Sequence, residues 1–143
     1  MENRQPERVL LRAGFLLVLL ALLTGLIVPA FRNPRMGVSA HLEGIMNGLL
    51  LVAAGLAWPH IRLSARGERT LKWLLLFAAY VNWGMTSLGA AWGTSRLTPI
   101  AGAGFVAQEW QETIGMVLGV SIAVTVIGAV GLVIYALRKD PAQ

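Results

Sequence analysis

The chain has 143 residues, 56% of them hydrophobic and only 13% charged, with a net charge of +5 and a mean hydropathy of +0.65. A soluble domain of this length carries roughly twice that share of charge, so the composition excludes a water-soluble globule and points to one membrane domain. There is no cysteine, which excludes disulfide scaffolds, thiolate metal sites, iron–sulfur clusters and cysteine nucleophiles.

Four apolar segments are long enough to cross a hydrocarbon core of ~30 Å as helices. They predict an all-α membrane protein, an up-down four-transmembrane-helix bundle in which short links force antiparallel neighbours. The first segment, Val9–Ala30, follows Arg4, Arg8 and Arg12. These cations resemble the n-region of a signal peptide, but the apolar run is long and no A-x-A cleavage site follows, so it reads as a retained helix. The second, Ala40–Pro59, opens with His41 and Glu43 and carries Asn47 about one turn further on. The third, Leu71–Trp92, carries Asn82 near its middle. A link over Thr94–Gln108, rich in Pro and Gly, leads past Glu109 and Glu112 to the fourth, Ile114–Leu137, which holds no charge. Within that link, residues 102–107 match G-x-G-x-x-A, but no strand precedes them and no dinucleotide site follows.

The cations orient the chain. Arg4, Arg8, Arg12, Arg62, Arg66, Arg69, Lys72, Arg138 and Lys139 fall on one side, and Arg32, Arg35 and Arg96 on the other. The positive-inside rule then places both termini in the cytoplasm. Arginines at the ends of apolar runs fit contact with lipid and not with nucleic acid. Trp58, Trp73, Trp92 and Trp110 lie near helix ends as an aromatic belt, and Trp83 lies deeper.

Ionisable groups inside a membrane are functional candidates because they are costly to place there. Here His41, Glu43, Glu109 and Glu112 gather near the outer side, with Asn47 and Asn82 beside them. In helix two, Gly44 and Gly48 follow His41 at i+3 and i+7 and share its face. Two readings of that stripe stand open. It is a flat surface on which a porphyrin plane could lie beside a ligating histidine, or a small-xxx-small helix contact. Asn47 and Asn82 are likewise either catalytic amides or interhelical glue. His41 and His60 are the two histidines. Nineteen residues at 1.5 Å rise set them roughly 28 Å apart, so they cannot ligate one haem within a chain, and an open axial position favours catalysis or sensing over electron transfer.

Asn33-Pro34-Arg35-Met36-Gly37, the block from Ala40-His41 to Asn47-Gly48, and Pro99-Ile100-Ala101-Gly102-Ala103-Gly104 resemble the bacterial hydroxylaminobenzene mutases. Those small membrane enzymes convert an N-arylhydroxylamine into an aminophenol. The frame with six residues from His to Asn also resembles styrene oxide isomerase, a four-helix membrane enzyme with haem b held between the subunits of a trimer. The likeness spans nearly the whole chain in hydropathy, and the helix-two block is its specific part.

The resemblance implies that His41 ligates a haem b iron, ferric where it acts as a Lewis acid, and that Asn47 is an active-site amide. Asn82-Trp83-Gly84 is similar to an Asn-x-Gly step on the isomerase's third helix. The isomerase's tyrosine four residues beyond that asparagine is replaced here by Thr86, which removes a phenolic donor and favours the mutase branch. The expected protein is therefore an intramolecular isomerase acting on a small aromatic hydroxylamine. Asn47 and Asn82 orient the substrate, Glu43 or Glu112 moves a proton, and Arg32, Arg35 or Arg96 pairs with haem propionates. Gly44 and Gly48 lie against the cofactor, and the assembly is a homotrimer. An epoxide isomerase, a small multidrug-type transporter and a non-catalytic haem-sensing subunit are the alternatives.

Overall fold

The computed structural model describes residues 5–137, so Arg4, Arg138 and Lys139 lie outside the described residues. Four helices make up the fold: α1 (Gln5–Leu26), α2 (Pro34–Ala57), α3 (Ala65–Trp92) and α4 (Glu109–Leu137). All four are long and apolar enough to cross a membrane.

The helices run past their apolar cores because polar residues start and stop them. Asn33 caps α2: its Oδ1 accepts from the Arg35 and Met36 amides, and Pro34 takes the first helical position, where its missing N–H costs nothing. The helix thus begins six residues before the apolar run, and His41 sits two turns inside it, not at its start. Ser64 caps α3 by accepting from the Gly67 amide at 3.3 Å, so the charged stretch from Arg66 to Lys72 is helical. At the far end Gly93 adopts φ +74° and returns its N–H to Gly89, a left-handed stop that glycine takes without steric cost. Gln111 accepts from the Gln108 amide and places Glu109 and Glu112 in the first turn of α4, not before it. α1 ends earlier, at Leu26, where the chain tightens into a 3-10 turn over Val28–Ala30 with Pro29 in it.

The helices pack in series, α1 on α2, α2 on α3 and α3 on α4, with a lesser contact between α1 and α3. α4 therefore stands at the edge. Only 11% of its most apolar window is buried, against 28% to 33% in the other three. The apolar core, built on Leu10, Leu17, Leu51, Leu71, Leu75, Ala129 and Ala136, fills the end near the α2–α3 link. The opposite end is polar, and the candidate site lies there.

Candidate functional site

Because α4 packs on α3 and stands away from α2, a cavity of about 270 Å³ opens between the three helices below the long link. Glu43 from α2, Asn82 and Thr86 from α3, and Glu112 from α4 line it, together with Met36, Met85, Leu97 and Ile122. Three residues singled out in the sequence, Glu43, Asn82 and Glu112, thus come together from three helices. Thr86 is buried and donates its hydroxyl proton to Glu43 Oε2 at 2.6 Å. The other threonines of the wall, Thr94 and Thr98, carry no charge, and nothing in their spacing sets them apart in the sequence.

Glu43 and Glu112 differ in what their oxygens do. Glu112 is 6% exposed. Its Oε1 accepts from the Ser95 amide at 2.9 Å and its Oε2 from the Arg96 amide at 3.0 Å. Both oxygens are bound to backbone donors, so Glu112 anchors the link to α4. Glu43 keeps Oε1 without a hydrogen bond among the described residues.

Asn47 lies one turn beyond Glu43 on the same face of α2. Its Nδ2 is buried and has no hydrogen-bond partner among the described residues. Leaving such a donor unpaired costs about 1–3 kcal/mol.

The expected arginines are otherwise engaged. Arg32 donates to the Trp92 and Val106 carbonyls at 2.9 and 3.1 Å. Arg35 donates to the Ala103 carbonyl and lies over the Phe105 ring. Arg96 grips both oxygens of Glu109 at 2.8 and 3.0 Å, and that hydrogen bond and charge raise its pKa above the usual arginine value. All three fasten the long link to the helices. Asn33 completes the fastening: it is fully buried, and its Nδ2 donates to the Ala101 carbonyl at 2.9 Å. The Asn33-Pro34-Arg35 and Pro99–Gly104 blocks, 68 residues apart at that bond, are one structural unit.

Gly44 and Gly48 also need correction. Both are buried. A Cβ on Gly44 would stand 2.6 Å from Ala21 Cβ and 2.6 Å from Trp83 Cδ1, and one on Gly48 would stand 2.7 Å from the Gly14 carbonyl. The stripe is filled by α1 and the Trp83 edge, so it is the small-xxx-small contact and leaves no flat surface for a porphyrin.

His41 sits at the end of that same seam. Its Nδ1 lies 2.8 Å from the Ala21 carbonyl oxygen. A carbonyl only accepts, so Nδ1 carries the proton and donates it. In the neutral ring Nε2 then holds the lone pair, the arrangement in which a histidine serves as a metal ligand with its other nitrogen tethered. Among the described residues no three imidazole or carboxylate side chains gather into a metal cluster. A metal at His41 would need its remaining ligands from elsewhere, and a porphyrin supplies them. His41 thus fits a haem ligand, and His60 is exposed in the α2–α3 turn. His41 and Glu43, two residues apart, project from α2 about 160° apart at 100° per residue. The imidazole and the cavity are on opposite sides of the helix.

The styrene oxide isomerase family model matches residues 6–138. The hydroxylaminobenzene mutase HabB of Ectopseudomonas oleovorans is 36% identical over 137 residues, 95% of this chain and 84% of the relative. The hydroxylaminobenzene mutase HabA of the same organism is 46% identical over 96 residues, 66% of this chain and 71% of its own. No solved structure matches.

Proposed function

The chain belongs to the styrene oxide isomerase family and is a multi-pass membrane isomerase; from that premise we propose that it converts a small aromatic hydroxylamine into an aminophenol, with haem b held by His41. Its relatives named hydroxylaminobenzene mutases support the substrate class, and Thr86 at the position of the isomerase's tyrosine supports it over an epoxide.

The observation that carries the reading is the cavity: a mostly apolar hole of about 270 Å³ with a carboxylate and an amide in its wall. Ferric haem, when bound at His41, supplies a Lewis acid for the oxygen that leaves nitrogen. The protein's own groups do the rest. In the net change the hydroxyl moves from nitrogen to the ortho carbon, that carbon loses a proton and nitrogen gains one. In this reading Glu43 takes the ring proton on Oε1 and returns it to nitrogen, and the bond from Thr86 to Oε2 supports that role. Asn82 in the wall and the unpartnered Asn47 amide orient the substrate by hydrogen bonds. Met36, Met85, Leu97 and Ile122 keep water from the electron-deficient ring, where it would add and give the wrong product.

His41 and Glu43 face opposite sides of α2, so one substrate can meet both only if they come from different copies of the chain. That supports a haem held between subunits, in a homotrimer as the resemblance implies. The three cations near the long link, against the cluster at the other side, support an inner-membrane protein with cytoplasmic termini.

The test is conversion of phenylhydroxylamine by the purified protein with neither NAD(P)H nor oxygen, in labelled water. The expected product is an aminophenol without label. Substantial label would mean that water captures a released cation, and the intramolecular reading would fall.

A further inference from the structure

Gly25, in the last turn of α1, is the part of the His41 site that neither the periodicity nor the family frame singles out. A Cβ built there would stand 2.7 Å from His41 Nδ1 and 2.9 Å from Cε1, closer than real Cβ atoms come to such a ring. The imidazole therefore lies flat against the bare backbone of α1 at Gly25. One turn earlier, the Ala21 carbonyl that it reaches is the one a regular helix offers to the amide of residue 25. Gly14, Gly44 and Gly48 meet helix backbone or buried walls, as already described. Gly25 differs in that the group filling its missing side chain is a titratable ring with a free ligand nitrogen.

We propose that Gly25 and the Ala21 carbonyl form a seat that fixes the His41 ring plane and its Nδ1–H tautomer, with Nε2 presented as the electron-pair donor. The inference rests on the reading of His41 as the haem ligand, and it makes Gly25 a positioning residue. Two constraints act together. The carbonyl admits only a ring nitrogen that carries a proton, and the missing side chain admits the ring close enough to make the bond at 2.8 Å. A methyl group at residue 25 would push the ring away and release both constraints. The imidazole would then sample both tautomers, and the one with a protonated Nε2 cannot ligate. Loss of such an outer tether typically weakens metal binding ~10–100-fold.

Two measurements on the full-length chain test this. The chain has two histidines, so His60→Gln leaves one imidazole, and nitrogen-15 labelling of histidine in the haem-free protein reads its tautomer directly. The expected spectrum shows a single Nδ1–H form, which becomes a mixture in Gly25→Ala. Gly128→Ala, which adds a methyl where nothing lies within 4 Å, should leave it unchanged and so controls for the general effect of a helix alanine. An Nε2–H form in the parent protein overturns the seat without any variant. An unchanged tautomer in Gly25→Ala overturns it too. The second measurement is haem retention, expected to fall about tenfold or more in Gly25→Ala and not in Gly128→Ala. If the parent protein holds the Nδ1–H form but takes up no haem, the seat stands and the haem reading falls.

Discussion

The two faces of α2 solve opposite problems with residues only a few positions apart. Toward α1 the helix shows Gly44 and Gly48 against Gly14 and Ala21, and the backbones approach until no methyl group would fit. Toward α3 it shows Glu43, bonded to Thr86 at the wall of an open cavity, and Asn47 follows one turn on with its Nδ2 unpartnered. Close approach on one side makes the helix pair rigid, with the bond from His41 to the Ala21 carbonyl as the polar contact at its end. That rigidity lets the other side hold a carboxylate and an orphan amide that would be hard to keep in a looser pair. The lesson is that stability and chemistry are separated by the rotation of one helix and not by distance along the chain. His41 is the exception, a polar group placed at the end of the tight face.

The comparison can be broken most sharply at that exception. His41→Ala should abolish the Soret band and turnover, while His60→Ala keeps both; equal loss in the two variants would remove His41 from the site. Next, Glu43→Gln should retain the cofactor and oligomer size yet lower turnover by roughly 10²–10⁴-fold, the usual range for a lost general acid–base group. A near-parental rate would make Glu43 a mere hydrogen-bond partner of Thr86. On the same face, Asn47→Leu should cost tenfold or more in rate, each tenfold being about 1.4 kcal/mol of transition-state stabilisation. Asn82→Leu should show a weaker version, and neither should disturb assembly, since interhelical hydrogen bonds in membranes average only ~0.6 kcal/mol.

On the tight face the effect should be on stability and not on chemistry. Gly48→Ala places a methyl against backbone on the opposite helix and should cost about 1–3 kcal/mol as overpacking. Thermal denaturation would read it, and an unchanged midpoint would mean that the seam is looser than its geometry. The smallest effect is expected at the rim: Arg96→Ala removes an ion pair whose partners are 47% and 84% exposed. Such pairs contribute little, so turnover and melting should both stay at parental levels.

The four spans were legible because an apolar run of helical length has few other meanings in a chain this poor in charge. Their ends were not, because Asn33-Pro34 and Ser64 start helices in polar sequence that hydropathy discards. The gathering of Glu43, Asn82 and Glu112 followed from their shared level in the membrane. What each does depended on facts outside that level. Glu112 and the arginines find their partners in the backbone of the link, which has no signature in side-chain spacing. The glycine stripe offered two solutions until the register of α1 was known, since a ring system and a neighbouring helix both ask for a surface without side chains. Gly25 was invisible for the same reason: its counterpart lies on another helix.

The bond from Asn33 to Ala101 also has a history in time. The residues between them take ~3–14 s to synthesise at 5–20 residues per second, while α1 and α2 can pair as soon as both have left the ribosome. For those seconds the Asn33 amide, fully buried in the finished fold, has no partner but water. The start of α2 must therefore wait at the wet edge of the bilayer until the third helix has crossed and the link has followed it.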